Sequence, residues 1–530
     1  MSDPAASFRR SIYVILAAVS CTMVLARITT LESRSVGPDK QRTPFLSAND
    51  RSRWCTVRAL VDEGTYAIDT MIEGRDKNWK TIDLVRHRGP DGKQHYFSSK
   101  PPLLPTLIAG EYWILQKLTG ASIARSPKYV GRILLFTTNV VPLMLYFVLL
   151  SRWIERIEVS DFSRVFVFAA ACFGTFLTTF AVTINNHLPA AICVLIAAYI
   201  AQRIWYDGAR NRFYFVIAGG AAGFAAANEL PALSLVVLLG VAILRKAPWQ
   251  TLTGYVPGVL VVAAAFFATN WYAHGDWRPP YAHRSDGRLL FEVDDDQPTT
   301  LSPETIPPGM LAGLEEFGVE NPSQVRVRER WNEAGWELFD EKSQQRFAAN
   351  PTDSGWHVHA WDHWYDYEGS YWTSDKRRGV DRGEQSRKTY ALHVLLGHHG
   401  LFSLTPIWMI SVIGLICMLG PGTTHRPAFA LFILTLTLVC LVFYLGLRPM
   451  VDRNYGGVCC GFRWLFWFTP LWLIAMLPGV ECLSRHRWLR GIAICLLAIS
   501  VFSVSFPWTN PWSQPWLFQY WESLGWISYP

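Results

Sequence analysis

Hydrophobic positions gather in long runs along the chain, and polar positions fill the segments between them. Eleven runs approach or reach the length of a membrane span, and each predicts a helix. The runs are 11–27, 133–150, 165–184, 188–206, 213–228, 231–244, 252–272, 401–419, 427–447, 464–480 and 491–508. The pattern predicts an all-α polytopic membrane protein, a bundle of about 11 transmembrane helices.

Two apolar segments need separate treatment. The first run follows Arg9 and Arg10 and is interpreted as a retained anchor. A cleaved signal peptide is the alternative, because residues 18–21 faintly resemble a lipoprotein cleavage site. Segment 101–118 carries Glu111 and Lys117, so burying it in lipid would be costly. It is predicted to be an interfacial helix.

Basic residues lie beside the apolar runs and are concentrated in every second loop. Cytoplasmic loops of membrane proteins are rich in Lys and Arg, so these loops and the N-terminus are predicted to be cytoplasmic. A bacterial inner or plasma membrane is expected, with the C-terminus outside. The residues are Arg9, Arg10, Arg152, Arg156, Arg164, Arg203, Arg210, Arg212, Arg245, Lys246, Arg426, Arg485, Arg487 and Arg490.

Two large segments then lie outside the membrane, namely 28–132 and 273–400. Residues 275–399 hold 14 basic and 22 acidic side chains, whereas the other residues hold 35 and 20. We divide the chain into an N-terminal transmembrane module, 1–272, an acidic loop domain of mixed structure, 273–400, and a C-terminal part, 401–530. Short helical stretches such as 324–347 are predicted in the loop domain. The basic residues lack the interleaved aromatic pattern of nucleic-acid binding.

Candidate functional groups lie where the outer loops meet the membrane edge, since polar groups near a membrane tend to be functional. In segment 49–54, Asp50 is a candidate general base, and a helix N-cap is the alternative. In segment 96–103, Lys100 is a candidate phosphate ligand, and a snorkelling lysine is the alternative.

Two further motifs occupy later outer turns. Asn186 and His187 lie between two predicted spans, where a capped turn is the alternative. In segment 455–463, glycines permit a close approach of the backbone, and Arg463 can fork onto a phosphate. An interfacial arginine is the alternative there.

Taken in order, the four motifs resemble the GT-C superfamily of glycosyltransferases, of the protein O-mannosyltransferase and aminoarabinose-transferase type. Segment 50–54 resembles the Asp-Glu-x-Arg-Tyr motif, with Arg51 in place of Glu and Trp54 in place of Tyr. Segment 96–103 matches Tyr-Phe-x-x-Lys-Pro-Pro-Leu. Segment 456–464 resembles a Gly-Gly motif followed by Gly-x-Arg-Tyr.

The resemblance implies transfer of a sugar from a polyprenyl-phosphate donor to an extracytoplasmic acceptor hydroxyl, with inversion. It assigns the catalytic base to Asp50 and the donor phosphate to Lys100, Arg463 and Arg53. Substrate-orienting roles are expected for His187, Asn186, Glu229 and Tyr455. A lipid or solute transporter or flippase is the alternative function, and a membrane scaffold is another. The partners expected are the lipid bilayer, the donor and an acceptor of protein, lipid or glycan type, and no nucleic acid.

Metal binding and disulfide formation are left open. His357, His359, Asp362 and His363 lie close in sequence and are weak candidates for a divalent metal site. Packing of this aromatic segment as the core of the loop domain is the alternative. Outside the membrane, Cys55 can pair with Cys459 or Cys460, or all three remain thiols.

Overall fold

Helices form the larger part of the chain. A computed structural model describes residues 4–30, 32, 43–74, 79–295, 300–330, 334–373, 375–422, 424–449 and 452–529. The helices are α1 Pro4–Thr30, α2 Ala48–Arg58, α3 Asp69–Ile72, α4 Leu103–Thr119, α5 Pro127–Leu135, α6 Val141–Ile154, α7 Asp161–Phe173, α8 Phe176–Phe180, α9 His187–Tyr206, α10 Arg212–Asn228, α11 Leu233–Leu244, α12 Pro248–Gln250, α13 Val256–His274, α14 Pro308–Glu316, α15 Arg387–Leu395, α16 Leu401–Leu404, α17 Ile407–Leu419, α18 Pro427–Leu441, α19 Thr469–Ser484, α20 Arg487–Ser505 and α21 Trp516–Ser523.

Helices occupy all eleven positions of the predicted spans. Within the described residues, eight helices are long and apolar enough to cross a membrane. Leu230–Leu244 and Ile407–Leu419 are apolar but shorter. Helix α19 lies at the centre of the bundle, where most of its side chains are buried, whereas α13, α18 and α20 expose much of their apolar surface. The predicted helical membrane bundle is thereby confirmed.

The loops that carry the basic residues contact one another at one end of the bundle. Arg9 binds both oxygens of Glu155 at 2.6–2.7 Å, which joins the N-terminus to the loop before α7. These contacts agree with the prediction that the loops share one side. Further pairs that join the loops are Arg156–Asp207, Arg210–Lys246, Arg426–Tyr206 and Ser163–Glu481.

The opposite end of the bundle carries the two β-structures of the described residues. The strands are β1 Leu84–Arg88, β2 Gln94–Ser98, β3 Leu289–Asp294, β4 Arg326–Glu329, β5 Trp336–Phe339, β6 Arg346–Thr352 and β7 Gly355–Ala360. Strands β1 and β2 form an antiparallel hairpin. The other five form an antiparallel sheet in the order β3-β7-β6-β5-β4.

The prediction of a helical stretch at 324–347 is wrong, because this segment contributes two strands and the start of a third. In β4 and the residue before it, Val325 and Val327 alternate with Arg326 and Arg328. Alternation with a period of two places one apolar face on the core of the loop domain, as in any half-buried strand. Leu338 and Phe347 belong to the same core.

The loop domain and the hairpin are joined above the bundle. The amide of Arg86 in β1 donates to the carbonyl of Trp364, at 2.9 Å. The imidazole of His87 stacks on the Trp364 ring and lies 3.0 Å from His274, the last residue of α13. The two outer segments are therefore packed against each other and against the span α13. These contacts fix the position of the outer segments relative to the bundle.

The outer disulfide, which the sequence left open, is not formed between Cys55 and Cys459 or Cys460. Cys55, Cys459 and Cys460 are all buried thiols. The thiol of Cys55 contacts the carbonyl of Trp79 at 3.3 Å, and that of Cys459 contacts the carbonyl of Gly461 at 3.0 Å. The three cysteines fill small spaces in the core, which is the alternative that the sequence left open.

Candidate active site

A cavity of about 840 Å³ lies where the outer segments meet the ends of α9, α10, α11 and α18. Among the described residues that line it, eight are basic and four are acidic. The basic residues are Arg51, Arg53, Lys80, Lys100, Arg284, Arg377, Arg448 and Arg463, and the acidic ones are Asp83, Glu229, Asp381 and Asp452. A cavity with this excess of positive charge attracts an anionic substrate.

The first wall comes from α2, which begins with a capping box. Ser47 accepts the amides of Asn49 and Asp50, and Asp50 in return accepts the amides of Ser47 and Leu46 at 2.6 and 3.0 Å. Both carboxylate oxygens of Asp50 are thereby engaged, and its side chain is fully buried. Burial raises the pKa of the Asp50 carboxyl. Asp50 does not line the cavity, although its neighbours Asn49 and Arg51 do.

The second wall holds Lys100, at the end of the outer hairpin. Its ammonium lies 3.1 Å from Oδ1 of Asp83, and both residues line the cavity. Burial lowers the pKa of Lys100 to about 8, and the positive charges of Arg53 and Arg463 act in the same direction. Lys100 is thus held in a partly dehydrated position facing two other cations.

A continuous hydrogen-bond network joins three of the motifs. Arg53 donates to the side chain of Asn186 at 2.9 Å, and Asn186 donates to Oε1 of Glu229 at 2.7 Å. The Nδ1 atom of His187 contacts the same oxygen, while its Nε2 atom lies 2.9 Å from the guanidinium of Arg463. Because an arginine can only donate, Nε2 accepts, and Nδ1 carries the proton that is donated to Glu229. The network therefore holds Arg53 and Arg463 in fixed positions at the cavity wall.

Two glycines allow Arg463 to take its position. Gly456 and Gly457 have φ of 96° and 81°, a region that favours glycine. Arg463 donates to the carbonyl of Gly456 at 2.9 Å, and a Cβ at Gly456 would lie 2.5 Å from Nε of Arg463. The close approach predicted for this glycine motif is confirmed. The guanidinium also lies over the ring of Trp512.

The remaining predicted residues lie elsewhere. Tyr455 is buried behind the cavity wall, where its hydroxyl donates to Glu384 at 2.6 Å. Within the described residues, no group of three or more His, Cys, Asp or Glu is placed to hold a metal ion.

The four metal candidates therefore do not form a site with one another. His357 and His359 project from β7, and His359 contacts the carbonyl of Gly287 at 3.1 Å. Asp362 pairs with Arg278 at 2.8 Å and also contacts His283. His363 forms a β-bridge with Arg284. Trp356 and Val358 pack in the core of the loop domain, as the alternative expects, whereas Trp364 and Tyr365 pack against Val85 and Phe97 of the hairpin.

Sequence reasoning missed several residues that line the cavity. Asp83, Arg284, Arg448, Asp381 and Asp452 all face it, and none was a candidate. Arg284 and Asp452 form an ion pair at 3.0 Å, and Asp381 accepts from Tyr371 at 2.8 Å. Burial raises the pKa of Asp381. These residues come from loops without a recognisable motif. Only the folded structure, which brings them to one cavity, identifies them as candidates for the site.

The central part of the sequence matches a known family of enzymes. Residues 117–325 match the sequence profile of Glycosyltransferase family 87. The chain is a membrane glycosyltransferase. The matched segment includes three residues of the network, Asn186, His187 and Glu229. Together with the helical bundle, the match confirms the prediction of a membrane glycosyltransferase and favours it over a transporter or a scaffold.

No curated protein matches the sequence of this glycosyltransferase. The structure of the S. cerevisiae protein O-mannosyltransferase Pmt1-Pmt2 complex bound to the sugar donor aligns over 100% of this chain and 93% of that chain. The identity is 10% and the TM-score is 0.45.

Proposed function

We propose that the protein transfers a sugar from a polyprenyl-phosphate donor to an acceptor hydroxyl outside the cytoplasm, with inversion at the anomeric carbon. The observation that carries this proposal is the convergence of Arg53, Lys100 and Arg463 on one cavity at the ends of the spans. A phosphate diester bound there would bring negative charge to three cations that otherwise repel one another.

The partners of these cations support an anion site. Among the described residues, neither Arg53 nor Arg463 forms an ion pair with a carboxylate at its guanidinium. Their hydrogen bonds go instead to amide, carbonyl and imidazole groups. Burial lowers the pKa of Arg53 to about 10, and the charge of Arg463 adds to this effect. Binding of a phosphate would relieve this repulsion and add charge-assisted hydrogen bonds.

An apolar side of the same cavity suits a lipid carrier. Leu103, Leu104, Leu230 and Phe443 line it beside the charged groups. Leu230 is 51% exposed and Phe443 is 39% exposed, so both offer apolar surface at the ends of spans. The cavity thus has an apolar side and a charged side. A donor with a phosphate between a sugar and an isoprenoid chain has the same two parts. The sugar would occupy the polar part, under Tyr371 and Trp372 of the loop domain.

In the proposed reaction, the acceptor oxygen attacks the anomeric carbon as its proton passes to a carboxylate. The bond to the phosphate breaks with its electron pair, and the cations stabilise the polyprenyl phosphate that leaves. The resemblance assigns the base to Asp50, which stays a prediction. The capping contacts described above are the competing explanation of that residue.

The proposal can be tested by binding and by product analysis. The full-length protein in lipid nanodiscs should bind decaprenyl phosphate but not decaprenol, as measured by native mass spectrometry. Deleting the gene in its host should remove a sugar from a surface glycan, glycolipid or glycoprotein, and re-expression should restore it. Equal binding of decaprenyl phosphate and decaprenol would contradict the proposed role of the cation cluster.

The lowered pKa of Lys100 predicts a pH dependence of donor use. Lys100 is charged below pH 8 and becomes neutral as the pH rises through about 8. We therefore expect kcat/KM for the donor to fall above that pH, since this ratio reports the free enzyme. In the Lys100→Arg variant the fall should move to higher pH, because a guanidinium remains charged. A decline at the same pH in both variants would assign the titration to another group.

The proposed orientation places the cavity outside the cytoplasm. Single cysteines near Arg152, Arg210 and Arg485 should react with a membrane-impermeant maleimide only after cells are opened. Cysteines at exposed positions of 275–399 should react in intact cells, because the positive-inside rule places this domain on the opposite side. Labelling of a cysteine near Arg210 from outside would contradict the orientation.

A further inference from the structure

Asp83 occupies a rigid position between α2 and the outer hairpin. Its carbonyl accepts from the hydroxyl of Ser52 at 2.8 Å and from the amide of Ser99 at 3.1 Å. Its own amide donates to the hydroxyl of Thr81 at 3.1 Å. The backbone of Asp83 is thus held by two other segments and by a local turn contact, and its side chain lines the cavity.

The two oxygens of the Asp83 carboxylate differ in their surroundings. Oδ1 lies 3.1 Å from the ammonium of Lys100. Among the described residues, none donates a hydrogen bond to Oδ2, and this oxygen is not enclosed by protein. Since Oδ1 is fixed by Lys100, Oδ2 remains available to a group within the cavity. Asp50 offers no such oxygen, because Ser47 and Leu46 occupy both of its oxygens.

The other carboxylates at the cavity are less suited to accept a proton from an acceptor. Glu229 is committed to His187 and Asn186 in the network behind the arginines. Asp452 pairs with Arg284, and Asp381 accepts from Tyr371. Within the described residues, Asp83 is the carboxylate that forms an ion pair with one of the three cations proposed to hold the donor.

We infer that Asp83, rather than Asp50, is the general base of the transfer. This inference rests on the proposed function. The acceptor O–H bond breaks and its proton passes to Oδ2 of Asp83, while the acceptor oxygen forms the new bond to the anomeric carbon. The bond from that carbon to the phosphate breaks, and its electron pair leaves with the polyprenyl phosphate. Lys100 positions the base, and Arg53 and Arg463 neutralise the leaving group.

The test compares Asp83→Asn with Asp50→Asn in the full-length protein. The initial rate of sugar incorporation is measured in membranes of the gene-deleted host that contain equal amounts of each variant. Asp83→Asn should lower this rate by about 10² or more, as expected for loss of a general base. Asp50→Asn should keep most of the rate, because asparagine retains much of the capping ability of aspartate.

Two further measurements separate the possible failures. Asp83→Asn should still bind decaprenyl phosphate in nanodiscs, which shows that the variant is folded and keeps its donor site. Asp83→Glu should recover part of the rate, with a changed pH profile. Parental transfer by Asp83→Asn, while the wild type binds decaprenyl phosphate, would overturn the inference alone. A wild type that neither binds decaprenyl phosphate nor restores the glycan would overturn the proposed function and the inference with it.

Discussion

Replacing Lys100 with methionine is expected to lower sugar transfer by about 10²–10³ fold, the usual effect of losing one group that stabilises developing charge. Methionine keeps most of the length of the side chain but lacks the ammonium that faces Asp83, Arg53 and Arg463. The leaving phosphate would lose a charged partner, and Asp83 would lose the contact that fixes its Oδ1 atom. Initial rates of sugar incorporation in membranes measure the change.

Lys117→Met is the matched control for this experiment. Lys117 lies near the end of α4, the helix that follows Lys100, and its ammonium lies over the ring of Trp113. The substitution removes the same charge from the same part of the chain without touching the cavity. Transfer by this variant should equal that of the parent. If both variants lose activity equally, the effect comes from the helix or its membrane contacts, and Lys100 has no specific role.

Hydropathy predicted the bundle because spans are specified locally. Burial in lipid requires a long apolar run, and each such run gave a helix at the expected place. The interfacial segment followed the same logic, since Glu111 and Lys117 made a span costly, and the structure has a separate helix there, Leu103–Thr119. These features depend on the sequence of one segment at a time.

The outer domain was harder to predict, because its strands pair across loops of varied length. The alternation of valine and arginine in 325–328 indicates a strand, although a helix is predicted for the longer segment 324–347. The hairpin carried a clear signal in Pro90-Asp91-Gly92 between two short polar-apolar runs, a sequence typical of a turn. Pairing of Leu84 with Ser98 brings Asp83 beside Ser99, next to Lys100. Following that register would have identified Asp83 as a partner of Lys100.

The sequence predicted those residues of the candidate site that lie in motifs at the membrane edge. It did not predict the residues that reach the cavity only through the folding of the loop domain. Arg53, Asn186, Glu229 and Arg463 were named separately, and the structure joins them in one network. Asp50 shows the limit of local motifs. The same residue satisfies a capping pattern and a catalytic pattern, and the structure shows the capping contacts.

The buried pair of His187 and Glu229 should control the stability of this end of the bundle. Glu229→Ala would remove the oxygen that His187 and Asn186 both contact in a buried position at the cavity wall. Each buried donor left without an acceptor costs about 1–3 kcal/mol, so a loss of about 3 kcal/mol or more is expected. Arg463 would also lose its fixed partner, because nothing would hold the Nδ1 proton of His187 in place.

Glu229→Gln provides the comparison, since its amide oxygen can still accept from both neighbours. We expect the alanine variant in detergent to unfold at a clearly lower temperature than the parent and to inactivate faster at a fixed temperature. The glutamine variant should remain close to the parent. Tryptophan fluorescence during heating measures unfolding. Because unfolding in detergent can be irreversible, the half-life of activity at one fixed temperature is measured as well. If the alanine and glutamine variants unfolded at the same temperature, the hydrogen bonds of Glu229 would not stabilise the network.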